Sequence, residues 1–334
     1  MRWLIVGCCC LLAFHLSGQD PQFSQFYAAP LYLNPAFVGN TTEGRMVLNY
    51  RNQWPAIPGT FVSYAASYDY NLDDLNSGLG LGIQHDQAGT AGLRYTNAAA
   101  MYAYRLRINR KQAMRFGMNL GYTIRDLNFS ELLFGDQLIS GAPTTSSTAA
   151  SNYRGQVVTY ADIGAGVLYY TRRAWFGFAG HHLNQPNQSL LSGESRLPLK
   201  YSLHAGWNFT LKKDRRRNPI SSLIVSGNYK AQLRWDQLDI GAYFNYGLFV
   251  TGLWYRGIPV KRLEPEIQNN DAIVVLAGFK WNDFRFGYSY DLTISRLVTN
   301  SGGAHEISLI YEHASPSKKR KKARSRFLVP CAKF

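Results

Sequence analysis

Apolar and polar positions alternate along most of this chain. In residues 113–125 one face reads Met114, Phe116, Met118, Leu120, Tyr122 and Ile124, and the other Arg115, Gly117, Asn119, Gly121, Thr123 and Arg125. Residues 200–211 repeat the pattern, with Tyr201, Leu203, Ala205, Trp207, Phe209 and Leu211 against Lys200, Ser202, His204, Gly206, Asn208 and Thr210. Residues 284–291 set Phe284, Phe286, Tyr288 and Tyr290 against Arg285, Gly287, Ser289 and Asp291. Side chains of an extended chain point alternately to opposite faces, so each stretch is a strand with one apolar and one polar side. About fourteen such strands are predicted, at 44–53, 60–70, 78–86, 92–106, 112–127, 157–171, 174–182, 200–211, 221–233, 237–246, 248–258, 271–281, 283–293 and 304–313. A soluble sandwich also alternates. Here the polar face carries small and charged residues, and the apolar face carries aromatics near the strand ends. That pattern predicts a transmembrane antiparallel β-barrel with a lipid-facing exterior and a polar lumen, and an even strand number suits it.

The connections support the same architecture. Those at 54–59, 87–91, 128–156, 183–199, 259–270 and 294–303 are long, and those at 107–111, 172–173, around Gly247 and at 282 are tight. Outer-membrane barrels have short periplasmic turns and longer external loops. With both termini periplasmic, the long connections face outward. Two connections blur the rule, since 234–236 is short and 212–220 is moderately long. Arg107, Arg110, Lys111, Arg172, Arg173, Lys212, Lys213, Arg215, Arg216 and Arg217 then fall on the periplasmic side.

The N-terminus places the chain outside the cytoplasm. Arg2 precedes an apolar run from Trp3 to Phe14, and Ser17 and Gly18 supply small residues near a cleavage point. The run is shorter than the ~20 residues of a spanning helix, so residues 1–18 are expected to be a signal peptide. A lipoprotein signal at Cys8 is the rival, with too little apolar sequence before it. Three of the four Cys lie in this segment, which leaves Cys331 and no intrachain disulfide framework.

Composition sharpens the picture. Charged residues make up 17%, against about 25% in a typical soluble chain, while aromatics reach 14% with 22 Tyr. This argues against a disordered protein and a typical cytosolic enzyme. Of 36 Lys+Arg, eight lie beyond residue 317, including Lys318, Lys319, Arg320, Lys321 and Lys322, with no acid among them. Setting those eight and Arg2 aside lowers the net charge from +15 to +6. Residues 314–334 are therefore expected to be a disordered basic tail. Export makes nucleic acid an improbable partner. Acidic protein surfaces, anionic head groups or peptidoglycan carboxylates attract such a tail, and a solvated tail with no specific partner is the alternative.

Four motifs remain. Residues 19–43 do not alternate cleanly and carry three prolines, so they are expected to form a plug or mouth segment packing Phe23, Phe26, Tyr27 and Tyr32. Trp54 in Tyr50-Arg51-Asn52-Gln53-Trp54-Pro55 either anchors at the membrane interface or contacts a secreted partner. His85-Asp86 suggests acid–base chemistry, yet no recognisable nucleophile stands at a supporting spacing, and His181-His182 completes no metal set. No helix follows Gly78-Leu79-Gly80-Leu81-Gly82, so these read as strand glycines that let the wall bend or make lumenal room rather than as a phosphate loop. No enzyme activity, metal or cofactor is expected.

The chain resembles a known family at Asp20-Pro21-Gln22-Phe23-Ser24-Gln25-Phe26-Tyr27, Pro30-Leu31-Tyr32-Leu33-Asn34-Pro35-Ala36-Phe37-Val38-Gly39 and the motif around Arg51 and Trp54. Further pieces are His182-Leu183-Asn184-Gln185-Pro186, Leu197-Pro198-Leu199-Lys200-Tyr201, Gly287-Tyr288-Ser289-Tyr290-Asp291 and His305-Glu306-Ile307-Ser308-Leu309. They are similar to the PorP/SprF family of outer-membrane proteins linked to type IX secretion in Bacteroidetes. The resemblance implies a non-catalytic barrel, residues 44–313, in the outer membrane. Its implied partners are translocon proteins, the C-terminal region of a secreted or gliding surface protein, and outer-membrane lipids. Phe23, Phe26, Tyr27, Tyr32, Asn34, Pro35, Arg51, Trp54, Asn184 and Pro186 are the candidate plug or partner-binding residues. The loops after the first, fifth, seventh and eleventh strands are expected to present the external site. The competing reading is a passive channel for small solutes. Its lumen would carry Arg115, Asn119, Arg125, Lys200, His204, Asn208, Lys230 and Lys280, and would favour anions.

Overall fold

The computed structural model describes residues 20–90, 92–128, 132, 138–139, 142–143, 156–190, 193–215, 219–233, 235–264, 267–294 and 301–314. The expected signal peptide and the basic run Lys318 to Lys322 lie outside them. The strands are β1 Gly44–Gln53, β2 Phe61–Leu72, β3 Ser77–Ala88, β4 Leu93–Arg107, β5 Gln112–Asp126, β6 Leu138–Ile139, β7 Ala142–Pro143, β8 Val157–Thr171 and β9 Ala174–His181. They continue with β10 Lys200–Lys213, β11 Pro219–Gln232, β12 Trp235–Tyr246, β13 Phe249–Glu264, β14 Ile267–Trp281, β15 Phe284–Thr293 and β16 Ala304–His313. Fourteen of them close into one antiparallel barrel, and β6 pairs with β7 in a separate ladder within the connection from β5 to β8. Closure pairs β16 with β1, Gly44 opposite His313 and Gln53 opposite Ala304. A closed sheet leaves no unpaired edge, which is what a strand protein needs inside a bilayer.

The alternation has the expected sense. Leu81, Leu120 and Leu211 point outward and are 64%, 58% and 59% exposed. Their inward neighbours Arg115, Thr123, Ser202 and His204 are buried. An apolar surface of this extent suits lipid rather than water.

One expected loop is mostly strand. Residues 259–264 and 267–270 continue the β13–β14 ladder, with register shifts between Arg256 and Gly257 and on to Glu264. Gly257, at φ 144°, takes the irregular step, and a register shift of this kind hides a strand from a periodicity reading.

Residues 20–43 lie in the interior, bonded to residues of the inner wall. They contain a helical turn, Pro30–Leu33, and a 3-10 turn, Pro35–Phe37. Asn34 joins the two, its Oδ1 accepting from the Ala36 N–H at 2.8 Å. Because β1 starts at the mouth with the tight turns, the residues before it run back along the lumen. Gly39 donates to Asp69 near the tight-turn mouth, and Asp20 meets His182, Lys200 and Gln232 at the mouth with the long connections. Asp20 and His313 thus lie at opposite mouths, whereas the sequence reading put both termini on one side.

The inner wall is also less polar than expected. Tyr243, Val250, Trp254, Val274 and Leu276 are buried, and join Phe26, Tyr27, Leu31, Phe37 and Val38 in one apolar cluster. The side chains brought in by residues 20–43 give those inward apolar residues a dry partner.

Candidate functional site

Glycines on the inner face make the trough in which residues 20–43 lie. A Cβ at Gly117 would collide with the Ala36 nitrogen and the Pro35 carbonyl carbon. One at Gly166 would collide with the Asn34 Oδ1. Gly78 lies against the main chain of Val38 and Gly39, and Gly80 against the Val38 side chain. Gly78 and Gly117 let backbone approach backbone, and Gly80 and Gly166 make room for the Val38 and Asn34 side chains.

The middle of the segment is held by polar groups from several strands. The Asn34 amide nitrogen donates to the Val167 and Phe178 carbonyls, each at 3.2 Å, and lies 3.1 Å from the His204 Nε2. Phe37 stacks on the His204 ring at 5.3 Å. The Arg115 guanidinium donates to the Val38 and Gly39 carbonyls. Arg45 pairs with Asp69 at 2.8 Å, and Asp69 also accepts the Gly39 N–H. Phe26 meets Trp254 edge to face at 5.0 Å and Tyr27 meets Tyr243 at 4.4 Å, the geometry favoured by ring quadrupoles. Phe23 does the same with Tyr32 at 5.5 Å.

Arg51 organises the densest contacts. It donates to Ser24 Oγ at 2.6 Å and pairs with Asp291 at 2.9 Å and Glu306 at 3.2 Å. Glu306 accepts the main-chain N–H of Ser24 at 2.7 Å and of Gln25 at 2.9 Å. Arg256 approaches from the other side, pairing with Asp239 at 2.7 Å and Asp291 at 2.9 Å and donating to Ser24 Oγ. Two guanidinium groups and three carboxylates therefore enclose one hydroxyl and two peptide N–H groups. Such a cluster does little for net stability, but removing Arg51 would leave the buried Glu306 carboxylate without its ion pair.

At the long-connection mouth, His182 bridges Asp20 at 2.7 Å and Asp162 at 2.9 Å through its two ring nitrogens. Lys200 reaches Asp20 at 3.0 Å and the Tyr32 hydroxyl at 3.1 Å. Burial disfavours the charged imidazole, but the two carboxylates outweigh it, and the pKa of His182 rises to about 9. Burial likewise opposes the Asp20 carboxylate, yet Lys200 and His182 hold it well below the usual range.

The remaining candidates lie elsewhere. Trp54 ends β1 at the same mouth, its N–H bonded to the Gly303 carbonyl at 2.8 Å and its ring edge-on to Phe61 at 5.5 Å. Asn184 ties its connection back to β8, donating to the Ala161 carbonyl and accepting from the Ile163 N–H. The Pro186 carbonyl accepts the Leu197 N–H at 2.9 Å. Asn184 and Pro186 thus fold the 182–199 connection rather than line the lumen. His85 bonds Thr96, while Asp86 bonds Ser63 and is buried. Adjacent strand residues face opposite sides, so the two make no catalytic pair.

Three of the lumenal cations expected of a channel have partners inside the barrel. Lys200 pairs with Asp20, Lys230 with Asp239 at 3.3 Å, and Arg115 is spent on carbonyls. Asp239, Arg256, Asp291 and Glu306 were missed as site residues. Alternation puts all four on inner faces, but their use depends on partners from distant strands.

A family model described as type IX secretion system membrane protein PorP/SprF matches residues 15–311. No curated protein sequence matches the chain. Among solved structures the chain is similar to CymD, a monoaromatic hydrocarbon channel, at 12% identity and TM-score 0.50, covering 86% of this chain and 93% of that one. It also aligns with the toluene transporter TodX of P. putida at 11% identity and TM-score 0.49, covering 84% and 93%. At such identity the likeness to CymD speaks for the barrel fold alone.

Proposed function

Because the chain belongs to the PorP/SprF family of type IX secretion system membrane proteins, we propose that it is a non-catalytic docking component of that system in the outer membrane. It holds a translocon protein or the C-terminal region of a secreted surface protein. The observation that carries this reading is the lumen, where residues 20–43 run from one mouth to the other against buried side chains. A barrel filled in this way is suited to binding rather than to solute flow. The long connections face the outside and the C-terminal tail faces the periplasm, following the general rule for outer-membrane barrels. Asp20 then lies near the external face.

The channel reading draws on the fold of CymD, but residues 20–43 oppose it. Bilayer conductance separates the two. The intact chain is expected to be silent, and deletion of residues 20–43 to open a pore. Steady conductance by the intact chain, together with recovery of the barrel alone from crosslinked envelopes, defeats the docking reading.

A further inference from the structure

The mouth with the tight turns is strongly basic on one side only. The turn from β4 to β5 carries Arg107, Arg110 and Lys111. That from β8 to β9 carries Arg172 and Arg173, and that from β10 to β11 carries Lys212, Lys213 and Arg215. The three turns are neighbours, because β5 pairs with β8 and β9 with β10. Asp214 is the one acid among their described residues. The other tight turns differ: Asp73 and Asp74 stand between β2 and β3, Gly247 and Leu248 between β12 and β13, and Asn282 and Asp283 between β14 and β15.

All eight cations are exposed. None of them makes an ion pair among the described residues. Inward cations near the same mouth are matched, Arg45 by Asp69, Arg105 by Asp73 and Arg285 by Glu312. The strands from β4 to β11 cross an arc of about 24 Å at a spacing of about 4.8 Å. Like charges crowded along such an arc repel one another unless anions lie against them.

The wall sets the depth of these charges. Exposed apolar side chains continue up to the turns: Leu106 and Ile108 at the first, Phe176 at the second, and Phe209 and Leu211 at the third. Outward-facing Tyr169 joins Phe176 at the second. Each cation stands within four residues of one of these side chains, at most about 13 Å of extended chain. The wall faces hydrocarbon, so the charges lie where the hydrocarbon ends and lipid head groups begin. Lys and Arg lay their apolar stems along such a boundary and keep the charge in the polar layer. The Arg fork matches two phosphate oxygens. A soluble acidic protein would not require this alignment with the hydrocarbon edge.

We propose that the rim made by these three turns binds the phosphate groups of anionic phospholipids, on one side of the barrel. This depends on the barrel lying in a membrane and not on the docking reading above. The test titrates the purified full-length barrel with phosphatidylglycerol, and with phosphatidylcholine of the same acyl chains, and counts bound lipid by native mass spectrometry. Saturable binding of phosphatidylglycerol is expected, at least about fivefold tighter than phosphatidylcholine and weakened by salt. Arg172→Gln should weaken it about fivefold, the worth of one cation at an anionic surface. Arg94→Gln, at the other mouth and paired with Asp126, should leave it unchanged. Every variant keeps the basic tail, so the difference reports the turns. Arg107→Gln with Arg110→Gln serves if changes at the second turn do not fold. Equal affinity for the two lipids overturns the proposal, as does wild-type affinity in a folded barrel lacking Arg172 and Arg173. Displacement of the lipid by equimolar inorganic phosphate, or by polyglutamate, also overturns it, because the rim would then take a free anion or an acidic chain instead.

Discussion

Replacing Glu306 by Ala is expected to free the outer half of residues 20–43 while the barrel stays closed. Glu306 is fully buried, and its carboxylate accepts the Ser24 and Gln25 N–H groups at 2.7 and 2.9 Å. A hydrogen bond to a charged group contributes about 1.5–3 kcal/mol, so the pair holds the segment by about 3–6 kcal/mol. Arg51 is not stranded by the change, since Asp291 remains 2.9 Å away. The β15–β16 and β16–β1 ladders are main-chain bonds and do not depend on the side chain. Taking the lower bound, about 3 kcal/mol makes the released state more than a hundredfold more populated. Amide hydrogen exchange on the purified barrel reads this directly. Ser24 and Gln25 should exchange at least a hundredfold faster, with β1 and β2 amides unchanged. Glu306→Gln should fall between, because its amide oxygen still accepts one N–H. Unchanged exchange at Ser24 and Gln25 in a folded Glu306→Ala barrel refutes the reasoning. Loss of the whole barrel also refutes it, because the segment would then be inseparable from the wall.

Gly117→Val should expel the segment from its trough, since its Cβ meets backbone atoms of Pro35 and Ala36 and such overpacking costs about 1–3 kcal/mol or more. Limited proteolysis should then cut within residues 20–43, whereas Gly227→Ala, whose nearest neighbour is 3.6 Å away, should stay resistant. The outer anchor should depend on pH. With its pKa raised from 6.5 to about 9, His182 contributes fully below pH 6.5 and its contribution is lost as pH rises through 9. Asp20, shifted below 3.8, contributes above that value and fails in acid. Protection near Asp20, measured relative to the intrinsic exchange rate at each pH, should therefore be greatest between these limits, and His182→Gln should remove the alkaline limb. An epitope placed just before Asp20 should be reached by antibody on intact cells, and one after residue 314 only after permeabilisation; labelling of both from the same side would contradict the proposed orientation.

The barrel was legible because lipid imposes strict alternation on every spanning strand. The limits of β1, β8 and β16 coincide with the predicted 44–53, 157–171 and 304–313. The outer part of the β13–β14 ladder escaped notice because its register shifts break the period on which the prediction rests. The site was legible in parts. Phe23, Phe26, Tyr27 and Tyr32 stood out as aromatics in a stretch that fits no strand, and Asn34 and Pro35 came with the family resemblance. Alternation also assigned Arg115, Lys200 and His204 to inner faces. Asn184 and Pro186 stood out equally, yet they brace a connection.

The sequence by itself determined a closed, lipid-facing wall and the set of side chains turned inward, because a period of two depends on neighbours along the chain. Only the tertiary structure decided what those inward side chains do. Glu306 reaches Ser24 across 282 positions of sequence and Arg256 reaches it across 232, and no local pattern encodes contacts of that span. The same holds for the direction in which residues 20–43 run. Closure of β16 on β1 puts the start of the barrel at the tight-turn mouth, which sends the preceding chain back through the lumen and leaves Asp20 at the opposite end.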